Sequence, residues 1–200
     1  PIKKRKPMSS KSEILSRIRQ SHPTPVPLPD VPMYDIAGDP VNNFIEKLES
    51  FDGKALQFPD RDSALRWLDA NIDRKGKVVF SSLPDWQGNL PLSQVADPHA
   101  AHVIDTCVAQ GLMGVGEMGS VWVTDESLGK GACALMATDL YLLLHRDTIL
   151  PGMHQAYAAL DLRACPYGSF FTGPSATADI EAVRVTGAQG PVTLTVLLHQ

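Results

Sequence analysis

The body of the chain alternates helix-start signals with short apolar runs, and this alternation constrains the fold more than any other feature. Asp39-Pro40 and Asp60 are typical of helix N-termini, because an aspartate caps free N–H groups and proline is tolerated at the first helical position. Apolar runs at Lys77–Ser81, Leu140–Leu144 and Val192–Leu198 have the length of buried strands. Helices between buried strands predict a mainly parallel sheet covered on both faces, in a three-layer α/β fold.

Further segments fit the same alternation. Val121 and Val123 alternate with Trp122 and Thr124, which predicts a half-buried strand. We also expect a brief helix after Asp97-Pro98, longer helices over 41–48, 64–72 and 151–160, and strands at 54–58, 103–109 and 169–172.

The first 36 residues differ from the rest. Ser10 and Glu13 have the capping-box spacing, which predicts a short helix, and five prolines from Pro23 to Pro32 then favour an extended linker. Seven of the 18 Lys and Arg residues lie in the first 20 positions, as in a solvated tail or an adhesive arm. We therefore expect an N-terminal arm and linker (residues 1–36) and an α/β domain (residues 37–200).

Composition excludes several classes of function. Beyond residue 20 the chain has 11 basic and 21 acidic side chains, so it would repel a phosphate backbone and nucleic acid is not expected as a partner. The aliphatic run Leu140–Leu144 is far too short to span a membrane. The three cysteines form no CxxC pair, which argues against disulfides and against a metal or iron–sulfur site of this chain's own. We expect a cytoplasmic protein with no cofactor in this chain.

A glycine-rich stretch, Gly114-Val-Gly-Glu-Met-Gly119, satisfies the dinucleotide-binding pattern G-x-G-x-x-G. That pattern needs a following helix, because the pyrophosphate binds at the helix N-terminus, whereas residues 120–124 have the alternation of a strand. We therefore expect a tight turn between strands, with Glu117 and Ser120 at strand ends, where ligands of open α/β sheets bind. Glu117 is a candidate acid/base, nucleophile or hydroxyl-binding carboxylate, or a solvated turn residue.

A second candidate segment begins where a predicted strand ends at Gly173. Ser175 and Thr177 offer hydroxyl caps for a short helix, and Asp179 and Glu181 would lie in its first turn. Free N–H groups and hydroxyls at a helix start suit a phosphate or carboxylate. The segment is therefore either an anion-binding loop or simply a well-capped helix.

These two segments resemble a known family. Gly173-Pro-Ser-Ala-Thr-Ala-Asp-Ile-Glu181, followed by Val185-Thr-Gly-Ala-Gln-Gly-Pro191 and an apolar strand, resembles the C-terminal signature of the lactate-utilisation (LUD) domain family. Gly116-Glu-Met-Gly-Ser120 is similar to its Ala/Gly-Glu/Asp-Thr-Gly-Thr/Ser turn. The opening Met8-Ser-Ser-Lys-Ser-Glu-Ile-Leu-Ser-Arg-Ile-Arg19 is typical of the lactate utilisation protein C branch, so the likeness covers nearly the whole chain.

The resemblance implies a fold like that of the sugar-phosphate isomerases and CoA transferases. It implies a role in oxidising L-lactate to pyruvate, with iron–sulfur partner proteins that would hold the redox clusters. A small anionic or nucleotide-like ligand would bind where the two motifs meet, with Glu117 as the candidate catalytic residue. The ligand-binding residues would be Gly116, Gly119, Ser120, Gly173, Pro174, Ser175, Thr177, Asp179, Glu181, Gln189 and Gly190.

Some positions depart from the family pattern. Many members have histidine where this chain has Gln189, and another histidine before the strand that here follows Asp139. Losing two imidazoles weakens a mechanism that depends on them. Met118 replaces the usual threonine and removes a hydroxyl from the turn. His99 and His102 have i, i+3 spacing but no evident third ligand, so no metal site is expected.

Two other functions stay open at the level of sequence. The chain could be an enzyme that handles acyl or phosphoryl groups, with Glu117 as nucleophile toward a CoA thioester. It could also be a non-catalytic subunit that holds the iron–sulfur proteins together.

Overall fold

The computed structural model describes residues 10–23, 26–27, 29–95, 97–163, 165, 167–177, 185–187 and 189–200. The chain divides into two compact units, Pro1–Pro32 and Met33–Gln200. In the first unit, helix α1 spans Lys11–Gln20, and the Ser10 side chain accepts a hydrogen bond from the Glu13 N–H. This capped start is the one that the sequence predicts. No helix in the described part of the chain has the length and hydropathy needed to cross a bilayer.

The second unit contains four further α-helices among the described residues. They are α2 (Pro40–Ser50), α3 (Arg61–Asn71), α4 (Gly131–Met136) and α5 (Met153–Ala159), with short 3-10 helices at Leu92–Gln94, Pro98–Val103 and Arg146–Thr148. Asp39 and Asp60 cap α2 and α3 through hydrogen bonds from the N–H groups of Asn42 and Ser63, which confirms both predicted starts. Sequence reasoning did not predict α4.

The described strands of the second unit form three sheets. They are β1 (Lys54–Gln57), β2 (Val79–Ser81), β3 (Thr106–Gln110), β4 (Met113–Val115), β5 (Ser120–Thr124), β6 (Asp139–His145), β7 (Ile149–Leu150), β8 (Gly168–Phe171), β9 (Ala176–Thr177), β10 (Val185–Thr186) and β11 (Thr193–His199). The central sheet is parallel, in the order β1-β11-β6-β3-β2. A second sheet has the order β7-β4-β5-β8, and β9 pairs with β10.

The two faces of the central sheet carry separate apolar clusters, because successive residues of a strand point to opposite sides. On one face, Leu68 of α3 packs in a cluster with Leu143 of β6 and Leu197 of β11. On the other face, Phe44 of α2 packs in a cluster with Leu142 of β6 and with residues of α4 and β5. Helices and a smaller sheet thus cover both sides of the parallel sheet, and the predicted three-layer α/β fold is confirmed.

The smaller sheet is mostly antiparallel. β4 and β8 both pair antiparallel with β5. Trp122 in β5 is only 7% exposed and packs on the Phe170 ring, with 4.8 Å between ring centroids. The prediction of a half-buried strand here is therefore wrong, because the Phe170 side chain, opposite Trp122 in β8, packs on the Trp122 ring.

Candidate functional site

The stretch from Gly114 to Ser120, called here the glycine turn, joins β4 to β5 as predicted. Its glycines accommodate a neighbouring helix. Gly119 has φ +63°, and a Cβ atom there would collide with the backbone N of Leu48 in α2. A Cβ on Gly116 would lie 2.8 Å from the carbonyl oxygen of Pro40, at the start of the same helix. The G-x-G-x-x-G pattern therefore reflects the close approach of α2.

Glu117 lies on the exposed side of the glycine turn. Its Oε2 atom accepts a hydrogen bond from the Met153 N–H at 3.0 Å, where α5 begins, and its own N–H donates to the Pro151 carbonyl at 2.8 Å. A carboxylate at the N-terminus of a helix accepts a hydrogen bond from an otherwise unpaired N–H group. It also interacts favourably with the positive end of the helix dipole. The structure thus gives Glu117 a capping contact, and its proposed catalytic role stays a prediction.

Ser120 connects the glycine turn to the second candidate segment. Its side chain is buried, and its Oγ forms a short hydrogen bond with Thr172 Oγ1. The next residue, Gly173, has φ +68°, and a Cβ there would collide with the Phe51 carbonyl oxygen at the end of α2. The two predicted motifs are therefore adjacent, and both pack against α2.

Residues Gly173–Thr177 are called here the serine loop. Ala176 and Thr177 form β9, which pairs with β10. The helix that Ser175 and Thr177 would cap falls on residues outside the described ranges, so their capping role stays a prediction. Ser175 Oγ donates to the Gln189 carbonyl, the Ser175 N–H donates to the Pro191 carbonyl at 2.7 Å, and the Gly187 N–H donates to the Ser175 carbonyl at 2.9 Å. The serine loop is thus held against a later segment of the chain. Asp179 and Glu181 lie outside the described residues.

A cavity of about 480 Å³, called here the loop cavity, lies against the serine loop. Its lining consists of Leu135, Met136, Leu140, Phe170, Phe171, Thr172, Gly173, Pro174, Ser175, Gln189, Gly190 and Pro191. Five predicted ligand-binding residues therefore meet here: Gly173, Pro174, Ser175, Gln189 and Gly190. The structure places the other described candidates elsewhere, namely Gly116, Glu117, Gly119, Ser120 and Thr177.

The loop cavity lies beside the amino ends of β6 and β11, because Leu140 is near the start of β6 and Gly190-Pro191 precede β11. It lies there because the serine loop folds back onto the segment before β11.

A charged pair ties the strands together near this edge. Asp139 accepts hydrogen bonds from Lys77 Nζ at 2.9 Å and from Thr193 Oγ1 at 2.8 Å, and so links β6 to the segments that precede β2 and start β11. The hydrogen bond to Asp139 raises the pKa of Lys77 above its usual value. The charges of Lys77 and Asp139 thus pair with each other, and neither residue is in the described lining of the loop cavity.

Two further cavities share Leu135 and Met136 with the loop cavity. One, of about 340 Å³, also has Thr138, Gln189 and Val192 in its lining. The other, of about 390 Å³, contains His99 and His102. The His102 ring N lies 2.6 Å from the His99 carbonyl oxygen, and the described residues contain no group of three side chains placed to hold a metal ion.

Sequence reasoning missed a polar cluster at the carboxyl end of the central sheet. Arg61 bonds to Asp85 at 2.6 Å and to Gln110 at 2.9 Å, and the rings of His145 and His199 lie 5.2 Å apart. The hydrogen bond from Arg61 lowers the pKa of Asp85. The sequence does contain a feature that could have predicted this cluster. Apolar runs end at Gln110, His145 and His199, and parallel pairing of the three strands brings these residues to the same edge of the sheet.

Comparisons with known proteins bear on the same region. The LUD domain family matches residues 99–199, which contain the glycine turn and the serine loop. The crystal structure of a DUF162 family protein from Deinococcus radiodurans at 1.70 Å resolution is similar, with a TM-score of 0.61 and 13% sequence identity. The alignment covers 80% of this chain and 96% of that one, and it shows a shared fold. A search of the curated proteins found no match.

Proposed function

The chain belongs to the LUD domain family, and from that premise we propose that it is a component of an L-lactate utilisation system. In this proposal it acts beside iron–sulfur partner proteins that carry the electrons from lactate oxidation. The family's association with lactate utilisation supports the general role. The likeness of the N-terminal stretch to the lactate utilisation protein C branch supports the more specific one.

The observation that carries the proposal is the meeting of the two family motifs. Ser120 and Thr172 join the glycine turn to the serine loop, and the serine loop forms one side of the loop cavity. We propose that this cavity binds the ligand through which the subunit takes part in lactate oxidation. Its volume of about 480 Å³ is typical of sites for cofactor-sized molecules, which supports the nucleotide-like class of ligand over lactate itself.

Glu117 gives the rival acyl-transfer function no comparable support. A nucleophile has to reach its substrate, and the Glu117 carboxylate lies outside the described lining of the loop cavity, bonded to the Met153 N–H. The scaffold function has one supporting observation. Leu135, Met136 and Val192 are each 43–50% exposed beside the cavities, as apolar side chains at a protein interface would be.

Growth on lactate tests the proposal. We expect a deletion strain to lose growth on L-lactate as sole carbon source and to keep growth on pyruvate, and we expect the wild-type gene to restore growth on L-lactate. The variant Leu135→Asp, which places a charge at the loop cavity, is expected to restore growth poorly. Leu112→Asp is the matched control, because both leucines are 43% exposed and Leu112 lies outside the described lining. Normal growth of the deletion strain on L-lactate would disprove the proposal.

A further inference from the structure

We infer that the loop cavity binds an uncharged, largely apolar group, a ring or an acyl chain that carries a carbonyl, and that it does not bind lactate. The inference rests on the proposed function only in taking this cavity as the ligand site. It names the chemistry of that ligand.

The described lining of the loop cavity is mostly apolar and carries no charge. Leucine, methionine, phenylalanine and proline side chains dominate it, and no ionisable side chain is among its described residues. A carboxylate buried without a cationic partner loses its hydration and gains little in return. An apolar group, in contrast, gains about 25 cal/mol for each Å² of surface that it removes from water. The lining therefore favours an uncharged group over lactate or another small anion.

Of the three polar side chains in the described lining, two are already bonded within the fold. The Ser175 hydroxyl and N–H are both used inside the fold, by the carbonyls of Gln189 and Pro191, and Thr172 is bonded to Ser120. The Gln189 side-chain amide has no hydrogen-bond partner among the described residues, and Gln189 lines both the loop cavity and its neighbour. A free amide offers one acceptor and a two-proton donor. It is suited to a neutral carbonyl or amide on the ligand.

The loop cavity also has an exposed apolar edge. Leu135 is 43% exposed and Met136 is 50% exposed, although both line the loop cavity. A ligand body that covers them would remove apolar surface from water, which lactate is too small to do. Size, lining and free polar group thus point to the same class of molecule.

Calorimetry on the full chain with matched probes tests this inference. Naphthalene-2-carboxamide and naphthalene-2-carboxylate differ in charge and share a ring, and hexanamide and hexanoate form the same pair on an acyl chain. We expect each amide to bind about tenfold or more tightly than its carboxylate, because burying the charge costs at least that much. The tighter of the two amides shows whether a ring or a chain is preferred. L-Lactate is expected to give no binding heat.

The variant Leu135→Ala tests whether the probes bind in the loop cavity. We expect it to weaken amide binding by about fivefold, through lost apolar contact, while Leu112→Ala leaves binding unchanged. Circular dichroism spectra that match the wild type would show that both variants are folded.

Three results would overturn the inference: carboxylates that bind as tightly as the amides, no saturable binding of either amide, or amide binding that Leu135→Ala leaves unchanged. Its failure is separable from that of the proposed function. A deletion strain that cannot grow on L-lactate, together with preferred carboxylate binding, would keep the function and reject the neutral ligand. Normal growth of the deletion strain on L-lactate, together with preferred amide binding, would reject the proposed function and keep the inference about the ligand.

Discussion

At the scale of single residues, the family motifs owe part of their composition to packing. Gly119 and Gly173 both have positive φ angles, and both leave room for backbone atoms of α2. The Ser175 hydroxyl donates a hydrogen bond to the Gln189 carbonyl, and Glu117 caps the start of α5. Residues that looked like ligand contacts in the sequence are thus in part the residues that hold the cavity wall in place.

The variant Gly119→Ala tests this structural role. We expect it to lower the free energy of unfolding by about 2–4 kcal/mol, because a left-handed conformation disfavours alanine and the new Cβ would collide with Leu48. Urea denaturation measures the change. Gly76→Ala is the control, since its Cβ would contact only the flexible Asp73 side chain, and we expect an effect within about 0.5 kcal/mol. Equal effects of the two variants would contradict this account of Gly119.

At the scale of elements, α2 organises the site without contributing to the described cavity lining. Phe44 and Leu48 anchor it in the core, and its exposed face is polar. The glycine turn packs beside Pro40 and Leu48, and Gly173 packs beside Phe51, directly after the helix. The position of α2 therefore sets the spacing between the two motifs.

The N-cap of α2 offers a test at this scale. Asp39→Ala removes the hydrogen bond between the Asp39 carboxylate and the Asn42 N–H, which is 2.8 Å long. We expect a loss of about 1 kcal/mol in the free energy of unfolding, the usual cost of removing such a cap. Glu46→Ala, on the exposed side of the same helix, serves as the control and should have a much smaller effect. Chemical denaturation of both variants would show whether the cap contributes as expected.

At the scale of the whole second unit, β6 connects the two apolar clusters. Leu142 and Leu144 pack in the cluster shared with α2, whereas Leu143 packs in the cluster shared with α3. A strand that supplies side chains to both layers couples their stabilities, because neither cluster can be lost while the other keeps its packing. We therefore expect the layers of this unit to unfold together.

The variant Leu68→Ala tests that coupling. Leu68 is fully buried on α3, and its truncation should cost about 2–5 kcal/mol. If the layers are coupled, the urea transitions followed by tryptophan fluorescence and by far-ultraviolet circular dichroism should shift together. Leu162→Ala, at a leucine that is 53% exposed, should shift neither by more than about 0.5 kcal/mol. Transitions that separate in Leu68→Ala would show that the layers unfold independently.

Much of the architecture follows from local signals in the sequence. Asp39 and Asp60 start helices because an aspartate next to free N–H groups stabilises a helix end wherever it occurs. The apolar run of β6 becomes a buried central strand, and residues 120–124 form a strand that rules out a dinucleotide-binding helix. These outcomes depend on residues close together in the chain, so their physics is present in the sequence itself.

The tertiary structure alone decided the form of the site. The Ser175 and Thr177 hydroxyls suggest a helix cap in the sequence, whereas the structure pairs Thr177 with Val185 and bonds Ser175 to Gln189 and Pro191. The same contacts place the cavity beside the amino ends of β6 and β11, whereas Glu117 lies outside its described lining and bonds to the start of α5. Caps and strands are fixed by neighbours within a few positions, whereas a binding site depends on distant segments whose contacts exist only after the chain has folded.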